Sequence, residues 1–287
     1  MSKNINLISD PWKDYELIDS GDNRKLERYG SIILIRPETQ AIWKPSKPDE
    51  WKKAKGEFRW SDGKGAWRGD DMPESWELSW GDVRFYIKPT SFKHTGIFPE
   101  QAPNWQWLKE RVGALQNSQV LNLFGYTGIA TIVTAQSGAF VTHADASKQA
   151  NGWTKENAEL SGVPGDKIRY MVDDALKFAE REVRRGKVYD GIILDPPAFG
   201  RGPKGEVWRI EEDLPKLMES LKKLLSPKKG SFLLLNGYAA GYSPLSFLQA
   251  TEDFFKKVDI EFGELQIKEA VSERRVPSGI YARFVIN

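Results

Sequence analysis

Cysteine is absent from all 287 residues, which removes disulfides, thiolate metal sites and any mechanism that needs a cysteine nucleophile. Histidine is nearly absent: His94 and His143 stand far apart, and no His/Asp/Glu cluster has metal-ligand spacing, so no metal site is expected. An excess of one charge is missing as well. Forty-two basic residues against 40 acidic leave a net charge of +2, so any surface for nucleic acid has to be local. No run approaches the ~18 to 20 apolar residues of a membrane span. The polar start M-S-K-N-I-N-L-I-S-D lacks the apolar stretch of a secretory signal. The expectation is a cytoplasmic protein with no membrane partner; composition does not bear on its oligomeric state.

The length suits one large or two modest domains, and the two ends of the chain differ in character. Up to about Phe98, short β-type runs (Ser31 to Ile35, Trp76 to Leu78, Val83 to Ile87) are separated by Gly, Pro and Asp, which suggests a small β-rich domain over 1–98. Within it, Trp43 to Arg68 interleaves Lys44, Lys47, Lys52, Lys53, Lys55, Arg59, Lys64 and Arg68 with Trp43, Trp51, Phe58, Trp60 and Trp67. Cations that neutralise phosphates beside rings that stack on bases would suit single-stranded RNA or DNA. The plain alternative is a β-domain whose tryptophans form its own core, with Asp49, Glu50, Glu57 and Asp62 diluting the charge.

Residues 99–287 read as a second domain. After a helix from about Asn104 to Leu115, strand and helix patterns alternate: Val120 to Phe124, Ile129 to Gln136, Phe140 to Ala144, Lys148 to Leu160, Ile168 to Val172, Ala175 to Arg185, Tyr189 to Leu194, Ile210 to Leu225, Ser231 to Leu235 and Leu245 to Lys257. This implies a parallel sheet covered by helices on both faces. The tail, Asp259 to Val271 and Gly279 to Ile286, gives two strand patterns with no helix between them, hence an antiparallel hairpin. The expected fold is α/β: a Rossmann-like, doubly wound, mostly parallel seven-stranded sheet with an antiparallel C-terminal hairpin, plus the N-terminal β-rich domain.

In such a sheet, ligands bind beyond the C-terminal ends of the strands. The first strand ends in Phe124-Gly125-Tyr126-Thr127-Gly128, where glycines let the backbone approach a ligand and the following helix start offers free N–H groups. Asp145, roughly 20 residues on at the second strand end, is placed to accept both hydroxyls of a ribose. A dinucleotide fingerprint wants a third glycine, and Ala130 stands beyond Gly128 instead, which disfavours a nicotinamide cofactor. The third strand ends in Asp173-Asp174-Ala175 and the fourth in Asp195-Pro196-Pro197-Ala198-Phe199-Gly200. Two prolines cannot donate backbone hydrogen bonds, so they form an acceptor-only rim beside a carboxylate, and Phe199 adds a flat face that can stack on a ring. Gly200 to Arg209 (G-R-G-P-K-G-E-V-W-R) reads either as a flexible basic lid or as a solvated connection.

The segments L-N-L-F-G-Y-T-G, D-A-S, D-D-A-L and D-P-P-A-F, in this order and spacing, resemble the class I S-adenosylmethionine-dependent methyltransferases. More closely, with Thr95-Gly96-Ile97-Phe98-Pro99-Glu100-Gln101 ahead of them, they are similar to the bacterial 23S ribosomal RNA large-subunit methyltransferases that carry T-G-x-F-x-x-Q. The resemblance covers Thr90 to the C-terminus. It implies that Gly125 and Gly128 lie under the methionine part of the cofactor with Phe124 and Tyr126 beside them. It further implies that Asp145 holds the ribose, Ser147 sits near the adenine, Asp174 with Ala175 contacts the adenine amine, and Gln101 reaches the cofactor. Asp195, also counted with the cofactor set, and the Pro196 carbonyl would face the acceptor.

Two departures narrow the chemistry. Carbon-5 cytosine members use a cysteine after the fifth strand; here that loop reads Leu235-Asn236-Gly237-Tyr238-Ala239-Ala240, which excludes the cysteine-adduct route and leaves Tyr238 as the candidate replacement. The aromatic residue follows Pro-Pro after one intervening residue, unlike the D-P-P-Y form of exocyclic-amine methyltransferases. The reading is an enzyme that transfers methyl directly to a base in RNA, ribosomal RNA among the candidates. Asp195, Pro196, Phe199 and Tyr238 would serve the acceptor. A small-molecule or protein methyltransferase, or a non-catalytic RNA-binding module with a retained cofactor pocket, are the alternatives.

Overall fold

A computed structural model of the chain describes residues 1–61, 64–69, 72–238 and 241–287. They form two compact units, one of residues 1–7, 103–265 and 279–287 and the other of 8–102 and 266–278. Both units are discontinuous in the chain, whereas the sequence pattern suggests a single break at Phe98.

The larger unit carries strands β1 (Gln119–Leu123), β2 (Phe140–Asp145), β3 (Ile168–Val172), β4 (Gly191–Leu194) and β5 (Phe232–Gly237). It also holds helices α1 (Ala102–Gly113, its first residue counted with the other unit), α2 (Ile129–Gln136), α3 (Lys148–Leu160), α4 (Ala175–Arg184), α5 (Ile210–Leu224) and α6 (Pro244–Phe254). The five strands pair in parallel, in the order β3-β2-β1-β4-β5. β6 (Glu261–Lys268) and β7 (Arg275–Val285) form the C-terminal hairpin, with β7 set between β5 and β6 and antiparallel to β5. The sheet has nine strands rather than seven, because Lys3–Asn4 and Leu7–Ser9 from the chain start both pair with β6. Strands of two and three residues carry no alternation long enough to read.

Burial explains why the central strands are continuous apolar runs. Every residue of β4 and of β5 is buried, as parallel strands covered on both faces must be. One face packs Leu121, Leu123, Ile192, Leu194, Leu233 and Leu235 against Phe178 of α4 and Leu217 of α5. Each such leucine contributes about 1.5–3 kcal/mol relative to an exposed one. On α5 the buried residues Ile210, Leu214, Leu217, Leu221 and Leu224 recur at helical spacing, a stripe facing the sheet.

The smaller unit has a five-stranded sheet of Tyr15–Gly21, Arg24–Tyr29, Ile32–Pro37, Gly56–Ser61 and Lys64–Arg68, and a separate pair, Trp76–Trp80 with Val83–Ile87. Its interior is ionic. Glu27 is fully buried and accepts from Arg36 Nε at 2.7 Å, Arg36 Nη2 at 2.9 Å and Tyr15 Oη at 2.8 Å. Burial alone would raise its carboxyl; the Arg36 and Lys25 charges outweigh that and hold it at about 2.

Most of the aromatic and basic residues between Trp43 and Arg68 serve this unit's own structure. Trp43 donates to the Ser20 carbonyl at 3.1 Å, Trp51 to Asp19 Oδ2 at 2.8 Å and Trp67 to the Thr90 carbonyl at 2.8 Å, while Phe58 is buried. Lys44, Lys52, Lys53 and Arg59 pair with Asp22, Asp49, Glu50 and Glu57. Trp60 is exposed. Asp62, one of the diluting carboxylates, lies outside the described residues.

Candidate functional site

Register aligns the ends of the parallel strands. Leu123 pairs with Ala144 and Leu194, Ala144 with Met171, and Leu194 with Leu235. The next row across the sheet is therefore Phe124, Asp145, Val172, Asp195 and Asn236, which brings the expected strand-end residues to one edge.

At the first strand end the backbone turns sharply. Phe124 and Tyr126 adopt left-handed conformations at φ 55° and 50°, and Gly128 follows at 83° as the N-cap of α2. Non-glycine residues in this region cost roughly 1–2 kcal/mol each, so the loop needs fixing from outside. Asp145 supplies it: Oδ2 accepts the Tyr126 N–H at 2.9 Å and Oδ1 the Ser147 N–H at 2.8 Å. Burial raises its carboxyl above the ordinary aspartate value, and these two hydrogen bonds offset part of that. Each carboxylate oxygen keeps a further lone pair.

The glycines also answer to a contact within the protein. A Cβ on Gly125 would stand 2.3 Å from His143 Cε1, and one on Gly128 2.2 Å from Thr154 Cγ2. The crowding comes from side chains of the protein itself. His143 is fully buried on β2, and burial lowers its pKa to about 3, so the ring is neutral.

Ser147 and Asp174 both act as helix caps. Ser147 Oγ accepts from the Ala150 N–H at 3.1 Å at the start of α3, and Asp174 Oδ1 from the Lys177 N–H at 2.9 Å at the start of α4, which begins at the buried Ala175. Asp173 pairs with Arg181, and its N–H bonds the Asp145 carbonyl at 3.1 Å. The second and third strand ends are thus joined through the backbone.

At the fourth strand end the Asp195 N–H donates to the Leu123 carbonyl at 3.4 Å. Asp195 is half-buried, Pro196 buried and Phe199 54% exposed, a ring open to a stacking partner. The segment from Gly200 to Arg209 is neither a flexible lid nor a bare solvated connection. Phe199–Arg201 and Val207–Arg209 form an antiparallel ribbon, pairing Phe199 with Arg209 and Gly200 with Trp208. Strand alternation sends Trp208 inward, 4% exposed, and leaves Phe199, Arg201, Val207 and Arg209 outward. Trp208 Nε1 donates to the Pro197 carbonyl at 2.7 Å, and its ring stands edge-on to Phe124 with centroids 4.9 Å apart. One indole thus joins the first and fourth strand ends, and one of the rim carbonyls is already occupied. The V-W-R triplet after a Gly-Pro-Lys-Gly turn is the signal that could have found it.

Tyr238 follows β5 at the same edge, 41% exposed. Asn236 and Gly237 belong to the strand, so the loop starts later than the sequence suggests, and Ala239 and Ala240 lie outside the described residues. Gln101 is buried in the turn Pro99–Gln101, which belongs to the smaller unit. Among the described residues no group of acidic or histidine side chains could hold a metal, and no helix is long and apolar enough to cross a membrane.

Residues 34–256 match the family described as S-adenosylmethionine-dependent methyltransferase. A solved structure of an SAM-dependent methyltransferase from Agrobacterium tumefaciens is 40% identical, covering 100% of this chain and 96% of that one at a TM-score of 0.95. A methyltransferase solved in complex with SAH is 21% identical over 95% of this chain and 76% of that one, at a TM-score of 0.75, a likeness of fold. Ribosomal RNA large subunit methyltransferase K of Neisseria meningitidis is 25% identical over 225 residues, 72% of this chain and 61% of that protein. The K/L protein of Vibrio campbellii is 33% identical over 157 residues, 54% of this chain and 21% of that protein. The chain spans about a fifth of the length of the K/L relatives it matches.

Proposed function

Since the chain belongs to the S-adenosylmethionine-dependent methyltransferase family, we propose that it methylates a base in RNA, with 23S ribosomal RNA as the first candidate, in the cytoplasm. The cofactor half rests on one observation: a half-buried carboxylate, Asp145, is held by the Tyr126 and Ser147 N–H groups with lone pairs to spare. That acceptor set fits a ribose diol, and the start of α2 beside it offers free N–H groups to a carboxylate. Phe124, Gly125, Tyr126 and Gly128 would flank the methionine part, and Asp174, Ala175 and Ser147 the adenine.

When bound, S-adenosylmethionine supplies an electrophilic methyl on a positively charged sulfur. Asp195 orients the acceptor by accepting its N–H or O–H and takes the proton that the acceptor loses on methylation. The Pro196 carbonyl accepts a second donor, Phe199 stacks on the ring, and Tyr238 closes the far side. With no cysteine anywhere in the chain, the transfer is direct and alignment is the protein's main contribution, worth up to roughly 7–11 kcal/mol of barrier. The base must be unpaired or flipped out, since a stacked ring cannot reach the methyl group.

The names of the K and K/L relatives support RNA as acceptor, as does the ribbon's outer face of Phe199, Arg201 and Arg209. Incubation with methyl-labelled cofactor and total RNA tests the reading. Label in one nucleoside of an RNA digest is the expected result. Label recovered only in protein or small molecules moves the enzyme to another acceptor class, and RNA binding without transfer leaves a non-catalytic module.

A further inference from the structure

Beneath the turn at the end of β1 runs a buried chain of hydrogen bonds whose direction can be read. Asn122 Nδ2, which can only donate, reaches Thr131 Oγ1 at 2.8 Å. Thr131 Oγ1 stands 2.8 Å from His143 Nδ1; Asn122 occupies one of its two lone pairs, and with its own hydrogen turned to that nitrogen the ring carries its proton on Nε2. The ring is buried and neutral, so it carries a single proton. Nε2 faces Thr154 Oγ1 at 3.3 Å, and Thr154 Oγ1 is 2.7 Å from the Tyr126 carbonyl and 3.0 Å from the Ala150 carbonyl, so its one hydrogen has the Tyr126 carbonyl as the nearer acceptor. With the proton on Nε2 the relay runs one way, from Asn122 to Tyr126.

We propose that His143 and Thr154 are positioning residues for the cofactor: the relay ending on the Tyr126 carbonyl, with Asp145 on the Tyr126 N–H, sets the loop in its binding conformation. Tyr126 is gripped at both ends while its backbone sits in the left-handed region. Releasing the carbonyl lets the residue relax toward ordinary φ. Its N–H then swings away from Asp145 Oδ2, and the carboxylate loses the geometry that two ribose hydroxyls need. The glycine spacing follows from the same contacts, since Cβ atoms at Gly125 and Gly128 would strike His143 and Thr154. The motif is thus fitted to its support from below as well as to a ligand from above.

The inference rests on the cofactor reading of this loop, and the test separates the two. Titration of Thr154→Val with S-adenosylhomocysteine should show affinity about tenfold weaker, the scale of one lost hydrogen bond. Thr154→Ser should restore it, and the acceptor KM should stay unchanged in both. Asp145→Ala is the control. If it binds like the parent, the loop is not the cofactor site and both readings fall; if it loses affinity while Thr154→Val does not, the relay alone is overturned. Nitrogen-detected NMR of the unaltered protein needs no variant: it should find His143 with Nε2 protonated and Nδ1 bare at pH 6. The opposite tautomer, or an imidazolium, would overturn the proposal.

Discussion

Asp145 and Asp195 occupy the same register row and are both half-buried, and the roles proposed for them lead to separate predictions. The Asp145 carboxyl is raised by burial, so acid protonates it sooner than an ordinary aspartate. Its folded pKa lies above the unfolded one, so its contribution to stability is present at low pH and is lost as pH rises through the folded value. Binding runs the other way, because ribose hydroxyls donate to the ionised form. Affinity for S-adenosylhomocysteine should therefore decline on acidification from above the usual aspartate range, measured by calorimetry; a curve flat down to the ordinary value of about 3.9 would refute the ribose assignment. Asp195→Ala should keep cofactor affinity and lower methyl transfer by roughly 10²–10⁴-fold, and a variant of parental turnover would remove Asp195 from the acceptor. Both aspartates were legible in the chain because a carboxylate directly after a buried apolar run marks a strand end. His143 and Thr154 were not: a lone histidine inside a strand and a threonine inside a helix acquire meaning only when folding stacks them under the same loop.

Among the elements, the parallel strands and their helices were the easiest to read. Continuous burial writes them as apolar runs, as in G-I-I-L of β4 and F-L-L-L of β5. The strands Tyr15–Gly21 and Arg24–Tyr29 escaped notice for the opposite reason. They bury Lys25 and Glu27 against charged partners and Asp19 against the Ser46 and Lys47 N–H groups and the Trp51 indole, so hydropathy marks as surface what packing uses as core. The ribbon from Phe199 to Arg209 was hidden by its glycines, which suggest mobility until the pairing of Gly200 with Trp208 is seen. Phenylalanine at position 208 would keep an edge contact with Phe124 but lose the bond to the Pro197 carbonyl. Trp208→Phe should then raise the acceptor KM or lower kcat while S-adenosylhomocysteine binds as before. Unchanged steady-state kinetics, or an equal loss of cofactor affinity, would count against the ribbon as the acceptor's support.

For the molecule as a whole, His143 is buried and His94 half-buried, and both are held neutral, each with a pKa lowered to about 3, His143 by burial and His94 by burial together with the Arg36, Lys93 and Lys25 charges. Unfolding exposes them to water, where they take up protons below about pH 6.5. Stability should therefore fall as pH drops through that value toward 3, by about 2 kcal/mol per histidine at pH 5 relative to pH 7. Below about 4.5, Glu27, held at about 2, adds a loss of the same sign. Denaturant midpoints at pH 7 and pH 5 measure this, and equal midpoints would contradict it. The two units also interleave along the chain. Residues 266–278 complete the smaller one, where Ser20 bonds Glu269 at 2.6 Å and the Ala270 N–H bonds the Leu17 carbonyl at 2.8 Å. On the ribosome, at roughly 5–20 residues per second, Leu17 and Ser20 emerge well before these partners have been made. The smaller unit therefore closes only after residues 266–278 have been made, and until then its buried Glu27–Arg36 pair has only its local partners to hold it.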